Sequence, residues 1–472
     1  MTSSDSYSPE RRTALILTGT GADGAYHAGV LRALHEAGIK IDIVGGRGIG
    51  AIGAMLTSVD GGARLWDAKG LWRRPAVTHL YRWRWPIRVV LGIIAAIAGV
   101  LVSPLLVFGA ALVIYPLGLL LGMAGLEASA RVTSAYSQLV TAVFAPGALP
   151  TWLPRLIAFL VIVGLVVLLV GSLTSWRGAP ARRRSRGQLS WALIGAPLDS
   201  ARAVTHFYDA LWDLLRGGTS LAAPARADLS RRFSELVAEN IGQPGFRELL
   251  LIVHDLDARR DLVYGLVREP FRRALFPPPT GAGVRRAEAF DLAGIARDQL
   301  VDVMAAALSV PGLTEPVMLS FASDSYWRGE LHRLVDRPAS LGRLLEEAAA
   351  AGAEQLIVVS AAPHLPGPHE LGRRRVDPMG RISEFVAAAE AAALRDALHH
   401  LQHRFRAVYE IRPHHNPVGA FDLSGAYDER SDRHQPLAEL MERGYEDTYR
   451  GFIDPVVAAS GENLSAATNS PT

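Results

Sequence analysis

The sequence predicts an α/β fold on a mainly parallel central sheet, interrupted by a long apolar helical insertion. Three observations carry this. Two apolar runs near the N-terminus, Ala14-Leu15-Ile16-Leu17 and Ile41-Asp42-Ile43-Val44, each pass through a glycine-rich turn into a helical pattern, the strand–turn–helix repeat of a parallel sheet. Further apolar runs at Leu249-Leu250-Leu251-Ile252-Val253 and Leu356-Ile357-Val358-Val359 supply more strands. Between the two sets lie two tracts with no charged residue, Val89 to Leu126 and Leu156 to Trp176.

The first turn, Gly19-Thr20-Gly21-Ala22-Asp23-Gly24, is followed by Ala25, Ala28, Val30, Leu31 and Leu34 at helical spacing, with Gly38 as the stop. It fits GxGxxG, so a dinucleotide site is one reading. That reading needs an acidic residue at the end of the second strand, and Asp42 lies inside the strand instead. The second strand also ends in a glycine turn of its own, Gly46-Arg47-Gly48-Ile49-Gly50. No cofactor is assigned.

Composition narrows the classes. Cysteine is absent, which excludes disulfides, thiolate catalysis and Cys-ligated zinc. A net charge of +3 is too small to make nucleic acid a bulk partner. Lysine occurs only at Lys40 and Lys69, and the preference for Arg and Ala matches a GC-rich bacterial genome. Met1 to Arg12 is polar, so no cleaved signal peptide is expected.

Arg and Trp alternate in Tyr81-Arg82-Trp83-Arg84-Trp85, a pattern that stacks on single-stranded nucleic acid or sits at a membrane interface. An apolar tract begins directly afterwards, which favours the interface and membrane lipids as partners. About 20 apolar residues span a bilayer. The second tract is therefore one span. The first is one span with a re-entrant piece, or a hairpin, because Pro104 and Pro116 permit a break. Arg clusters flank both ends of the insertion, placing both flanks in the cytoplasm. An even number of spans follows, most simply two, with Glu127 to Pro154 crossing the outer face of the cytoplasmic membrane.

Downstream, Pro197 to Arg216 has an amphipathic helical pattern, and Arg247 to Leu266 reads as a hairpin turning at Asp255 to Asp261. An Ala-rich helix runs from Arg381 to His403, and Val408-Tyr409-Glu410-Ile411 is the last strand. His399 and His403 lie one turn apart but lack the HExxH carboxylate, so no metal is assigned. Residues beyond Ala459 read as a disordered tail.

The run from Leu17 to Leu31 resembles the oxyanion-hole segment of patatin-like phospholipases, and Gly46 to Ala51 falls at that family's GxSxG nucleophile elbow. The resemblance implies a three-layer sandwich with an oxyanion-hole-like loop of Gly19, Thr20, Gly21, Asp23 and Gly24, and an elbow of Gly46, Gly48 and Gly50. The family's loop carries three glycines and an Arg, where this chain has Thr20 and Asp23. The nucleophile position is Gly48. Ala305 to Gly312 resembles the run before the family's catalytic aspartate, and Leu356 to Ser360 the strand after it. Between them Tyr326-Trp327-Arg328-Gly329-Glu330 puts Arg328 at the acid/base position. The organisation expected is 1–75, first part of the patatin-like domain; 76–190, transmembrane insertion; 191–425, second part; and 426–472, C-terminal helix and tail.

With neither serine nor aspartate in place, the expectation is a membrane-anchored pseudoenzyme that binds a lipid, an acyl group or a protein partner. Two alternatives stay open. One is an active lipid acyl hydrolase with another nucleophile, although Thr18 and Thr20 have no base recognisable in the sequence. The other is a structural membrane scaffold.

Overall fold

The computed structural model describes residues 7–59, 62–67, 69–125, 128–144, 152–177, 195–276, 284–364, 377–416, 418–421 and 435–455. The expected disordered tail and the Arg cluster at Arg182 to Arg186 lie outside these residues. The chain divides into two compact units, one of Met1–Arg82 with Leu198–Thr472 and the other of Trp83–Pro197.

The larger unit is the predicted α/β fold. Its strands are β1 (Thr13–Thr18), β2 (Ile43–Gly46), β3 (Glu248–Asp255), β4 (Arg260–Leu266), β5 (Ala289–Asp291), β6 (Val317–Ser320), β7 (Leu331–Val335), β8 (Gln355–Ser360) and β9 (Ala407–Ile411). The sheet order is β9-β8-β1-β2-β3-β4-β5, with β7 pairing both β3 and β6. Pairing is parallel from β9 through β3, and the β3–β4 hairpin and the β6–β7 pair are antiparallel. Every residue of β1, β2 and β8 is buried, which is why these strands read as continuous apolar runs rather than alternating ones.

Both faces of the sheet are covered. On one, α9 (Leu341–Ala350) and α10 (Pro378–Leu401) set Leu341, Leu344, Leu345, Leu394 and Leu401 against Ala14, Ile16, Ile43, Leu250 and Ile252. On the other lie α1 (Asp23–Glu36), α2 (Gly50–Ser58) and α11 (Pro436–Thr448). A side chain at Gly29 of α1 would meet the Met441 carbonyl of α11 at 1.8 Å, so the two helices touch backbone to backbone. The expected amphipathic helix is α6 (Ala201–Arg216), burying Val204, Phe207 and Leu211. It is followed by α7 (Arg226–Asn240) and, before β6, by α8 (Leu300–Ala307).

The smaller unit contains α3 (Trp85–Met123), α4 (Ala128–Phe144) and α5 (Trp152–Arg177). The break expected at Pro104 or Pro116 does not occur, and α3 is one helix of 39 residues. Pro104 cannot donate to the Val100 carbonyl four residues earlier. The Ser103 hydroxyl donates to that carbonyl instead, at 2.7 Å, the kind of repair that lets proline stay inside an apolar helix. The segment expected to cross the outer face holds α4, whose Tyr136 hydroxyl donates to the Val107 carbonyl of α3 at 2.5 Å. Among the described residues, α3 is the one helix long and apolar enough to cross a membrane. A 17-residue apolar stretch of α5, Arg155–Gly171, is shorter.

Candidate functional site

The two glycine turns meet at the carboxyl ends of β1 and β2, where parallel α/β sheets place their sites. The Ile49 N–H donates to the Gly19 carbonyl at 3.0 Å and the Arg47 N–H to the Leu17 carbonyl at 3.2 Å, tying one turn to the other. Gly48 sits at φ +55°, a conformation that glycine occupies without the strain other residues carry. A Cβ added there would stand 2.1 Å from the Gly19 carbonyl oxygen and 3.0 Å from Asp336 Oδ2. Gly46 and Gly50 flank it across the turn.

Asp336 follows β7 directly, and its backbone N–H donates to the Ser309 carbonyl at 2.7 Å. The carboxylate facing Gly48 is therefore Asp336, and the structure does not bring Arg328 to that place. Arg328 lies in the β6–β7 turn, where its N–H donates to the Ser325 carbonyl at 3.2 Å. The whole of β7, five residues long, separates it from Asp336. Extended chain puts the two at opposite ends of that strand. Arg328 also has a positive φ of 47°, a backbone feature of this turn rather than of the site.

Arg47, one residue before Gly48, decides what Asp336 does. Its guanidinium is fully buried and uses every N–H. Nε donates to Asp336 Oδ1 at 3.0 Å and Nη2 to Asp336 Oδ2. Nη2 also donates to Glu390 Oε1 at 2.9 Å, and Nη1 to Glu390 Oε2 and to Thr18 Oγ1, the last at 2.8 Å. Glu390 arrives from α10 and is 3 % exposed. Burial works to lower the Arg47 pKa, but the two carboxylates outweigh it and push the group above its ordinary value. Asp336 is raised by burial, with Arg47 opposing and Glu390 adding to the rise.

The first turn is filled from within. Thr20 N–H donates to Asp23 Oδ2 at 2.8 Å, and Ala22 N–H donates to the Ala420 carbonyl at 3.0 Å. Gly21, at φ +62°, lets that carbonyl in, since a Cβ would stand 1.9 Å from it. Two N–H groups of the loop are thus committed to the chain itself. Burial raises the Asp23 carboxyl to about 7, the Thr20 N–H opposes, and the Glu390 charge adds to the rise. The His27 ring lies below, with Nε2 3.1 Å from the Thr18 carbonyl and Nδ1 unpartnered; burial lowers it to about 4.

Gly19, Thr20, Gly21, Asp23, Gly24, Gly46, Gly48 and Gly50 lie on the two adjoining turns, while Arg328 stays apart. The sequence reading missed Arg47, Asp336 and Glu390. Signals for them exist: Asp336 follows the apolar pair Leu334-Val335, and Glu390 is a lone charge between two runs of three alanines. Thr20 does meet a carboxylate, because its hydroxyl donates to Glu390 Oε1 at 2.9 Å. Asp255 plays a turn role, accepting from the Asp257 and Ala258 N–H groups at 2.8 and 3.0 Å. Among the described residues, no group of three or more His, Asp or Glu fits a metal ion.

Comparison with known proteins points one way. A family model described as patatin-like phospholipase matches residues 15–336, ending on Asp336. Neuropathy target esterase sws of Drosophila willistoni and of Drosophila persimilis are each 50% identical over 62 residues, and the Drosophila melanogaster protein is 48% identical. That segment is 12% of this chain and spans only 4% of the relatives' length. The crystal structure of VipD from Legionella pneumophila aligns over 94% of this chain and 68% of its own, at 11% identity and a TM-score of 0.31, too slight a likeness to bear on the fold.

Proposed function

The chain belongs to the patatin-like phospholipase family, and within it we propose a membrane-anchored member with a silent hydrolytic site that retains a binding role. One observation carries the reading. The carboxylate facing the nucleophile position finds glycine there, and it spends both oxygens on Arg47. Acyl transfer by this family's chemistry needs a hydroxyl on that turn and a carboxylate free to take its proton. Loss of the nucleophile leaves only the residual rate due to binding and oxyanion stabilisation. Oxyanion stabilisation is reduced as well, because Asp23 and Ala420 take N–H groups of the loop.

The membrane part of the reading rests on α3. Its 39 residues are nearly twice the number, about 20, that a helix needs to cross a bilayer. Two crossings, with α3 and α5 as the spans, would keep both parts of the sheet-forming chain in the cytoplasm. Lipid, acyl chain or a protein partner is the ligand of such a protein.

The Thr20–Glu390 hydrogen bond favours a second reading, a hydrolase with a threonine nucleophile. Glu390 also serves Arg47 through both oxygens, which weighs against it as a base. One experiment separates the two. Purified protein is treated with a fluorophosphonate probe and assayed on short acyl esters beside Gly48→Ala and Thr20→Val. The expected result is no label and no turnover above the Gly48→Ala control. Labelling lost in Thr20→Val establishes the second reading.

A further inference from the structure

The glycine turns occupy the carboxyl ends of β1 and β2, and a separate cavity lies at the other end of the same elements. Ile39 and Ile41 precede β2, Leu31 belongs to the second half of α1, and Thr57 to the last turn of α2. With Trp66 of the short helix Ala63–Trp66 and Arg247 directly before β3, they line a cavity of about 270 Å³. About 10 Å of helix α2 separates Thr57 from Gly50. The wall carries an unanswered polar group. Thr57 is 6 % exposed, and its hydroxyl has no hydrogen-bond partner. It faces Gly62, another residue of the wall, where a Cβ would stand 3.8 Å from Oγ1. Threonine in a helix ordinarily returns its hydroxyl to the carbonyl one turn back, as Thr205 and Thr448 do in this chain. Thr57 does not, and a buried hydroxyl left unpaired costs stability.

Positive charge gathers at the same place. Arg247 Nη1 donates to the Thr57 carbonyl at 2.7 Å, which sets the guanidinium beside that residue. An adjoining cavity of about 390 Å³ shares Ile39, Ile41 and Arg247 with the first and adds Lys40 and Arg268. Its carboxylates each meet a cation: Asp42 Oδ1 lies 3.4 Å from Lys40 Nζ, and Glu248 Oε1 lies 2.6 Å from Arg12 Nη2 and 3.3 Å from Arg268 Nε. Arg12, Lys40 and Arg268 thus outnumber Asp42 and Glu248 before Arg247 is counted. Apolar wall at Leu31 and Trp66 gives way to cations at Lys40 and Arg268, with Arg247 on both sides of the junction.

We propose that this cavity binds a medium-chain carboxylate, its head group accepting from the Thr57 hydroxyl beside the Arg247 charge and its chain lying against Leu31, Ile39 and Trp66. A guanidinium keeps its charge whatever else it binds, and an apolar pocket with a few polar groups at one end is the usual form of a small-molecule site. A cavity of about 150 Å³ holds a benzene-sized guest. The first cavity, at about 270 Å³, therefore takes about ten heavy atoms, the size of octanoate. The site stands apart from the glycine turns and holds whether or not they are silent.

The test uses the full chain in nanodiscs, titrated calorimetrically with sodium octanoate and referenced to empty nanodiscs. Octanamide serves as the uncharged counterpart and acetate as the head group alone. Saturable heat is expected with octanoate, binding weaker by about tenfold or more with octanamide, and none with acetate. Thr57→Val keeps the shape of the side chain and removes the hydroxyl. It should weaken octanoate by about tenfold, the loss of one hydrogen bond to a charged group. The melting temperature of the unliganded variant should be unchanged or higher, since the hydroxyl has no partner in the fold to lose. Ile39→Trp, at a half-buried position, narrows the cavity and should weaken octanoate as well. No saturation with octanoate, equal affinity for octanoate and octanamide, acetate as tight as octanoate, or affinity unchanged in both variants overturns the proposal. A lower melting temperature in Thr57→Val without ligand also overturns it, because the hydroxyl then serves the fold.

Discussion

Arg47 and Asp336 form a two-pronged ion pair, with Nε 3.0 Å from Oδ1 and Nη2 on Oδ2, one residue from a glycine at the nucleophile position. The pair joins the elbow after β2 to the end of β7, and Glu390 extends it to α10. A buried ion cluster of this kind contributes little over apolar packing when intact, but losing one partner costs about 3–5 kcal/mol. The asymmetry yields a stability ranking.

Arg47→Met should be the most destabilising single change in the cluster, because it strands both Asp336 and Glu390. Glu390→Gln should cost less, since an amide still bonds Thr20 and Asp336 still answers Arg47. Urea unfolding of the purified protein measures this. Equal midpoints for Arg47→Met and wild type would mean that the cluster does not form.

Gly48 provides a second check. Alanine there carries the strain of positive φ, on the order of 1–3 kcal/mol, together with a contact 2.1 Å from the Gly19 carbonyl. Gly48→Ala should lower the melting temperature. A loop glycine at negative φ would instead gain about 0.4–1 kcal/mol on the same change. Gly48→Ser should be destabilised in the same way and remain inactive, because Asp336 is held by Arg47. Adding Arg328→Asp to it should alter nothing, since that residue lies at the far end of β7. Turnover restored by Gly48→Ser with Arg328→Asp would return the acid/base role to Arg328's position.

The glycine turns and the strands before them were legible because their signals are local. Leu17, Gly19, Gly46 and Gly48 declare strand and turn within a few residues. The ion cluster was not legible, because Arg47 finds its partners 289 and 343 residues away. Nothing near Glu390 but its isolation among alanines hints at a role. The glycine after Arg328 is a local signal, whereas the end of strand β7 is the better guide to the carboxylate. Pro104 misled for a related reason. Its breaking tendency is local, and the Ser103 hydroxyl that repairs the helix depends on backbone geometry already formed.

Topology is open to direct measurement. Reporter fusions ahead of Thr13, at Gly195 and at the C-terminus should all report cytoplasm, and one at Ser137 on α4 the opposite side. Opposite locations for the first two would be incompatible with β1 pairing to β8 in one sheet, and would remove α3 and α5 as a pair of spans.

The last prediction concerns two neighbours on α1 that exchange a proton on folding. Asp23 rises from 3.8 to about 7, through burial and the Glu390 charge against the Thr20 N–H and Arg47. His27 falls from 6.5 to about 4, through burial and the Arg47 charge against its bond to the Thr18 carbonyl. Near pH 5 the unfolded chain has Asp23 ionised and His27 protonated, and the folded chain has both neutral, so the proton counts match. The signs are opposite. Stability due to Asp23 is full below about pH 4 and is lost as pH rises to about 7. Stability due to His27 is full above about pH 6.5 and is lost as pH falls to about 4. Each slope reaches at most about 1.4 kcal/mol per pH unit. The two largely cancel, and Asp336, raised like Asp23, tilts the remainder downward with pH. Single variants separate them. Relative to wild type, Asp23→Asn should gain stability as pH rises from about 4 to 7. His27→Gln, which keeps a donor for the Thr18 carbonyl, should lose it between about 4 and 6.5. Urea unfolding at half-unit pH steps gives both difference curves. Two flat curves would show that neither group changes its proton on folding, and that the site is wetter and less buried than its geometry requires.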